Sequence, residues 1–167
     1  MTKNAPIAEA PLRRGPLKIG IVPGVLPDKW IQRWRERERR GIEVSPVAEP
    51  DQLAALLDGS VDVCFFRSQS RTKECHVIPL YVEQQVVVVP TDHVVSAFEA
   101  VDLVDLADEQ LLQPPELIPG WADITTATRL DWPLMSDADA IELAATGAGI
   151  VIVPQSVARL HHRKDLT

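Results

Sequence analysis

The run Leu17-Lys18-Ile19-Gly20-Ile21-Val22, closed by Pro23-Gly24 and followed by a helix-like segment, leaves the chain few folding options. Six mostly aliphatic and β-branched residues between turn signals have the composition of a buried strand. Pro27-Asp28 can open a helix, and Trp30, Ile31 and Trp34 then share one helical face with Lys and Arg around the rest. A buried strand leading straight into an amphipathic helix is the first half of a βαβ unit. In parallel sheets of that kind, ligands bind where strands end and helices begin.

The pattern then repeats. After a helix over Asp28–Arg39, stopped by Gly41, Ile42–Val47 has the character of a strand, and Ser45-Pro46 suggests an edge. Glu49-Pro50 starts a short helix in which Leu53, Leu56 and Leu57 share a face, and Gly59 ends it. Val61–Phe66 is a third strand. Three strands and two helices in so short a span imply parallel strands joined by right-handed crossovers. Further on, Gln85–Val89 is strongly strand-like and Pro90 stops it; Gln110–Gln113 and Leu134-Met135 are weaker strand candidates. The prolines at 114, 115 and 119 forbid a long helix there. Ser136 suits the N-cap of a helix over Asp137–Thr146, closed by Gly147 and Gly149, before a strand at Ile150–Val153 and a last helix from Gln155 to His162. The expected organisation is a flexible leader over 1–16, lobe I over 17–84, lobe II over 85–155 and a helix returning towards lobe I over 156–167.

The net charge of −7 argues against non-specific binding to nucleic acid or anionic membranes. Cys64, inside an apolar run, suits a buried free thiol, and with Cys75 it makes no disulfide framework. The leader has no apolar core and no run approaches the ~20 residues of a membrane span, which points to the cytosol. Catalytic motifs such as G-x-S-x-G, a Walker loop or G-x-G-x-x-G do not occur. Cys75-His76 and His161-His162 lack metal-ligand spacing. The chain is expected to be no enzyme, with no cofactor and no metal.

Five blocks together resemble the effector-binding domain of LysR-type transcriptional regulators. They are Leu17–Ile21, Gln52–Val63, the strand Val86–Val89 with Pro90-Thr91-Asp92-His93, Val104–Asp108, and Ala144–Pro154, in the family's order. The resemblance implies a two-lobed α/β fold of the periplasmic-binding-protein type (type 2), with Rossmann-like lobes and mixed sheets. It implies a small-molecule effector in the cleft between lobes. The family's winged helix-turn-helix has no counterpart in these residues, so no nucleic-acid contact is carried over. The closing strand and helix that the family adds late are also expected to be missing.

On this resemblance Pro23, Gly24 and Val25 match the first cleft loop, and Arg67-Ser68 the loop after strand three. Arg67 can bind a carboxylate bidentately, or be a solvated loop residue. Glu49 falls where the family commonly has a Ser or Thr that hydrogen-bonds an effector carboxylate. A carboxylate there repels an anion, so either the usual organic acid is not the ligand or Glu49 turns outward in a cap-like role. Thr91 and His93 follow the hinge strand, with His93 a ligand contact or a local structural bond. Ser136 and Asp137 offer helix N–H groups or plain capping, and Pro154 and Gln155 begin the final helix. The family pairs these domains antiparallel, which makes Trp30, Ile31 and Trp34 a dimer interface; core packing is the competing reading. A ligand-free dimerisation or protein-interaction module is the alternative function.

Overall fold

The computed structural model describes residues 15–67, 73–128 and 130–167, and the chain divides into two compact units, Met1–Val77 and Ile78–Thr167. Most of the expected leader, and Ser68, lie outside the described residues.

In unit 1, β1 (Leu17–Ile21) leads through α1 (Asp28–Arg37) to β2 (Ile42–Pro46), and then through α2 (Gln52–Leu57) to β3 (Val63–Phe65). The strands are parallel in the order β2-β1-β3, with Ile19 opposite both Val44 and Val63. Central β1 buries Leu17 and Ile19, and the side chains of Val47, Cys64 and Val61 crowd Gly20. A Cβ on Gly20 would lie 2.9 Å from a Val47 methyl, so only glycine suits that crossing. Edge strand β2 is mostly exposed, as Ser45-Pro46 suggests.

Three local expectations in unit 1 need correction. Helix α1 ends at Arg37, where Glu38 turns extended, so Gly41 is not its stop; the Gly41 carbonyl instead accepts from the Leu17 N–H at 2.7 Å. The inner face of α2 is Gln52, Leu53 and Leu56, while Leu57 is 57% exposed. Cys64 is free but only half-buried.

In unit 2, β4 (Gln85–Val88) pairs antiparallel with β5 (Val151–Pro154), Gln85 opposite Pro154 and Val88 opposite Val151. Alternate side chains enter two cores. Val88, Val151 and Val153 pack with Ile141 of α4 (Asp137–Ala144) and Val157 of α5 (Gln155–Leu160). Val89, Ile150 and Ile152 pack with Leu106, Leu111 and Trp121, the last on the single turn α3 (Trp121–Ile124). Burial on both faces is why these strands are continuous runs of valine and isoleucine. Gly149 is obligatory where β5 begins, because a Cβ there would sit 2.2 Å from the Gln110 carbonyl oxygen.

The expected strand at Gln110–Gln113 is reduced to one parallel bridge, Leu111 to Ile150, and Leu134-Met135 forms none. Leu134 is largely exposed, so nothing pays for its ordering into a ladder. Residues 156–167, expected to return to lobe I, pack within unit 2: Val157 and Leu166 join its core, and Thr167 pairs with Val89. Among the described residues no helix is long and apolar enough to cross a membrane.

Candidate functional site

The order β2-β1-β3 places a topological switch point at the C-terminal ends of β1 and β3, the crossover from β1 leading out to β2 and the next returning past β1 to β3. Five expected residues meet that edge. Val22-Pro23-Gly24-Val25 is a tight turn closed by the Val25 N–H on the Val22 carbonyl at 3.2 Å, with Gly24 at φ 82°. Proline then glycine in its two central positions fits the steric demand of a type II turn. Glu49 begins the short 3-10 turn after β2, and Arg67 follows β3.

The site's electrostatics come from an ion pair that the sequence did not disclose. Arg67 Nη1 donates to Glu49 Oε1 at 2.6 Å, with the arginine side chain largely buried and the glutamate partly open. Glu49 caps nothing; Ala48 holds the N-cap position without a side-chain bond. The cap-like reading of Glu49 is therefore replaced by direct pairing with Arg67.

Gln52 is the second missed residue. It is buried, and its carboxamide donates to the Arg67 carbonyl and accepts from the Arg67 N–H, both at 3.0 Å. A planar amide that satisfies both backbone groups of one residue fixes that residue as a strand neighbour would. A buried glutamine has no sequence signature, because its meaning depends on a partner 15 residues away.

Unit 2 splits its expected residues. Ser136 caps α4, its Oγ accepting from the Asp139 N–H at 3.2 Å and donating to Asp139 Oδ2 at 2.7 Å. Pro154 and Gln155 form the β5–α5 junction, where the Gln155 N–H donates to the Gln84 carbonyl at 2.9 Å. Asp137 opens α4, which runs back against β5 after a short turn. Thr91 and His93 lie beyond the other end of β4. Seven residues of extended chain from Gln84 to Thr91 span roughly 23 Å, so these two do not converge with Pro154 and Gln155. His93 is engaged locally: its Nδ1 accepts from the Val95 N–H at 3.3 Å, and Nε2 stands 3.5 Å from Glu109 Oε1.

The expected interface residues also divide. Ile31 is only 8% exposed and belongs to the core of unit 1, which corrects its placement in an interface. Trp30 is 39% exposed, lies tilted by 38° against Trp34 at 5.5 Å and meets Phe65 edge-on at 6.1 Å. The Trp34 indole N–H donates to the Arg40 carbonyl at 2.8 Å. Beside them, Val25, Leu26, Arg35 and Val44 line an open groove of about 420 Å³.

Comparison with known proteins agrees with this architecture. Residues 11–167 match the LysR substrate binding domain. The chain is 28% identical over 163 residues to the HTH-type transcriptional regulator CatR of Pseudomonas putida, a match covering 90% of this chain and 55% of that protein. It thus spans about half the length of that curated relative. Among solved structures it is similar to the BenM effector binding domain with its effector benzoate, at TM-score 0.74 and 22% identity over 92% of this chain and 76% of that one. A cysteine mutant of Corynebacterium glutamicum OxyR is similar at TM-score 0.71 and 26% identity, over 92% and 52%. The fold is therefore the two-lobed α/β fold of effector-binding domains.

Proposed function

The chain belongs to the LysR substrate-binding-domain family, and from that membership we propose that it is the small-molecule-sensing part of a transcription regulator. It binds an effector and reports occupancy by a shift between conformations rather than by catalysis. The observation that carries this reading is the switch-point edge of unit 1. There Arg67, its backbone groups bonded to Gln52 and its guanidinium paired with Glu49, follows β3, the neighbour of the strand that the Pro23-Gly24-Val25 turn closes. A fixed arginine at a strand end recognises a planar acceptor group on a ligand, which it meets by exchanging with Glu49. Ser136, Asp137, Pro154 and Gln155 are the corresponding set offered by unit 2; Thr91 and His93 serve its internal packing.

Homologues favour sensing over a ligand-free module: the BenM domain is a structure with its effector benzoate. The relatives are regulators, and this domain works on the same reading in the cytoplasm as a homodimer, with no membrane contact and no nucleic-acid contact of its own.

A panel of aromatic and aliphatic metabolites tests the proposal by thermal shift and calorimetry. A ligand at about 100 times its Kd adds about 2.7 kcal/mol of stability, and Arg67→Ala abolishes that gain while leaving the unliganded fold intact. A panel member whose stabilisation is unchanged by Arg67→Ala would remove the site from unit 1.

A further inference from the structure

The Glu49–Arg67 pair joins the two outer strands of unit 1 beyond the end of the central one. Ile21, the last residue of β1, pairs with Pro46 on one side and with Phe65 on the other. The Val47 N–H donates to the Ile21 carbonyl at 2.9 Å, so the chain leaving β2 stays beside β1 to its end. Glu49 follows two residues later, and Arg67 comes two residues after Phe65. With β1 between them, β2 and β3 lie roughly 10 Å apart. The two side chains reach each other only past the point where Pro23-Gly24 turns β1 away.

The partners are held unequally. Arg67 is largely buried, and Gln52 fixes its backbone on both sides. Glu49 is partly open and accepts through Oε1 alone; among the described residues nothing bonds to its second oxygen. The turn supplies no charge, and the next charged residue on the β2 side, exposed Asp51, is another carboxylate.

A ligand entering this edge separates the pair and must then serve both halves. A simple carboxylate satisfies the guanidinium but is set beside the glutamate, like charge against like. A simple amine satisfies the glutamate but deprives a largely buried guanidinium of its counter-charge. A molecule with both groups does neither. Because the partners start 2.6 Å apart, its two charges must sit on neighbouring atoms of one small unit.

Resting on the reading of this edge as the effector site, we infer that the effector is an α-amino acid. Its carboxylate takes Arg67 and its ammonium takes Glu49, including the oxygen that Arg67 leaves unused. One internal ion pair is exchanged for two of the same kind, and no charge is left uncompensated. Analogues with a single charge are rejected by the group they leave unpaired.

The test compares, on the full chain, each standard α-amino acid with its deamino carboxylic acid and its decarboxylated amine, by thermal shift and calorimetry. At least one amino acid stabilises the protein, and its two analogues bind about tenfold more weakly or worse, as the loss of a charge-assisted bond requires. Glu49→Gln reverses the order: it weakens the amino acid and tightens the carboxylate that carries no amine, each by about tenfold. Arg67→Ala weakens both. A deamino acid that binds as tightly as its amino acid, and is lost in Arg67→Ala, overturns the zwitterion while leaving the sensing site where it is. An amino acid whose affinity Glu49→Gln leaves unchanged overturns it too. Absence of stabilisation by all three series overturns this inference alone, since the wider metabolite panel judges the sensing role separately.

Discussion

Gln113 and Gln52 show how much of this molecule hangs on single buried amides. Each spends one side chain on both backbone groups of a residue at the edge of a sheet. Gln113→Ala strips the partners from the buried backbone of Ile152. The expected loss is about 2–4 kcal/mol, one desolvated donor and one acceptor at about 1–3 kcal/mol each with partial rescue by water, measured by urea denaturation. Cys64 offers a different check. Burial pushes its thiol above the ordinary range, so the folded state holds the proton more tightly than the unfolded chain. Stability linked to it is complete below the ordinary thiol pKa and declines as pH rises past it. At pH 8 iodoacetamide should therefore modify Cys64 more slowly in the native protein than in urea, as read by mass spectrometry.

At the scale of elements, hydrophobic period and turn chemistry carried most of the information. Five short apolar runs became the five strands: β1, β4 and β5 carry buried residues, while β2 and β3 are held by pairing with β1 and stay more open. Ser136 was legible as a cap since its hydrogen bond spans only three residues. The failures lie where burial, not local pattern, decides. Leu57 continues a helical stripe yet faces solvent, and Leu134-Met135 has strand composition but no neighbour to pair with. The candidate site was half legible. The turn at Pro23-Gly24 and the position of Arg67 follow from chain order. The Glu49–Arg67 pair, 18 residues apart, exists only because α2 returns the chain across β1. Breaking it separates two roles. Glu49→Gln should change stability by less than about 1 kcal/mol, the usual worth of a partly exposed pair. The same substitution should raise affinity for a carboxylate effector by about tenfold, by calorimetry, since a charge opposing the anion is gone. Unchanged affinity would place Glu49 outside the ligand's field.

For the whole molecule, the uneven charge matters more than the net value. Lys and Arg crowd α1, with Lys29, Arg33, Arg35 and Arg37, and unit 1 is net basic, with 13 Lys and Arg against 10 Asp and Glu, while unit 2 holds all the excess acid, with 4 against 14. With Trp30 partly open and Leu26 exposed beside the α1 groove, this suits pairing of unit 1 with unit 2 of a second copy. Sedimentation should give a dimer that weakens with Trp30→Ala by at least about 2 kcal/mol, as a buried aromatic anchor does. It should also weaken in 1 M salt, where the Debye length falls to about 3 Å. A dimer indifferent to both would use another face.

Sequence alone determined the five strands that form, the starts of α1, α4 and α5, the parallel connectivity of the first unit and the kinship of the whole. These depend on periods of two and 3.6 residues, on caps and on proline and glycine, all of which act within a few positions. Only the tertiary structure decided that Glu49 meets Arg67, that Gln52 and Gln113 stand in for strands, and that Thr91 and His93 lie far from Pro154. Those outcomes turn on which backbone groups face one another after the chain has folded back. Ladder parity and burial set that, and neither is written in any local run of residues.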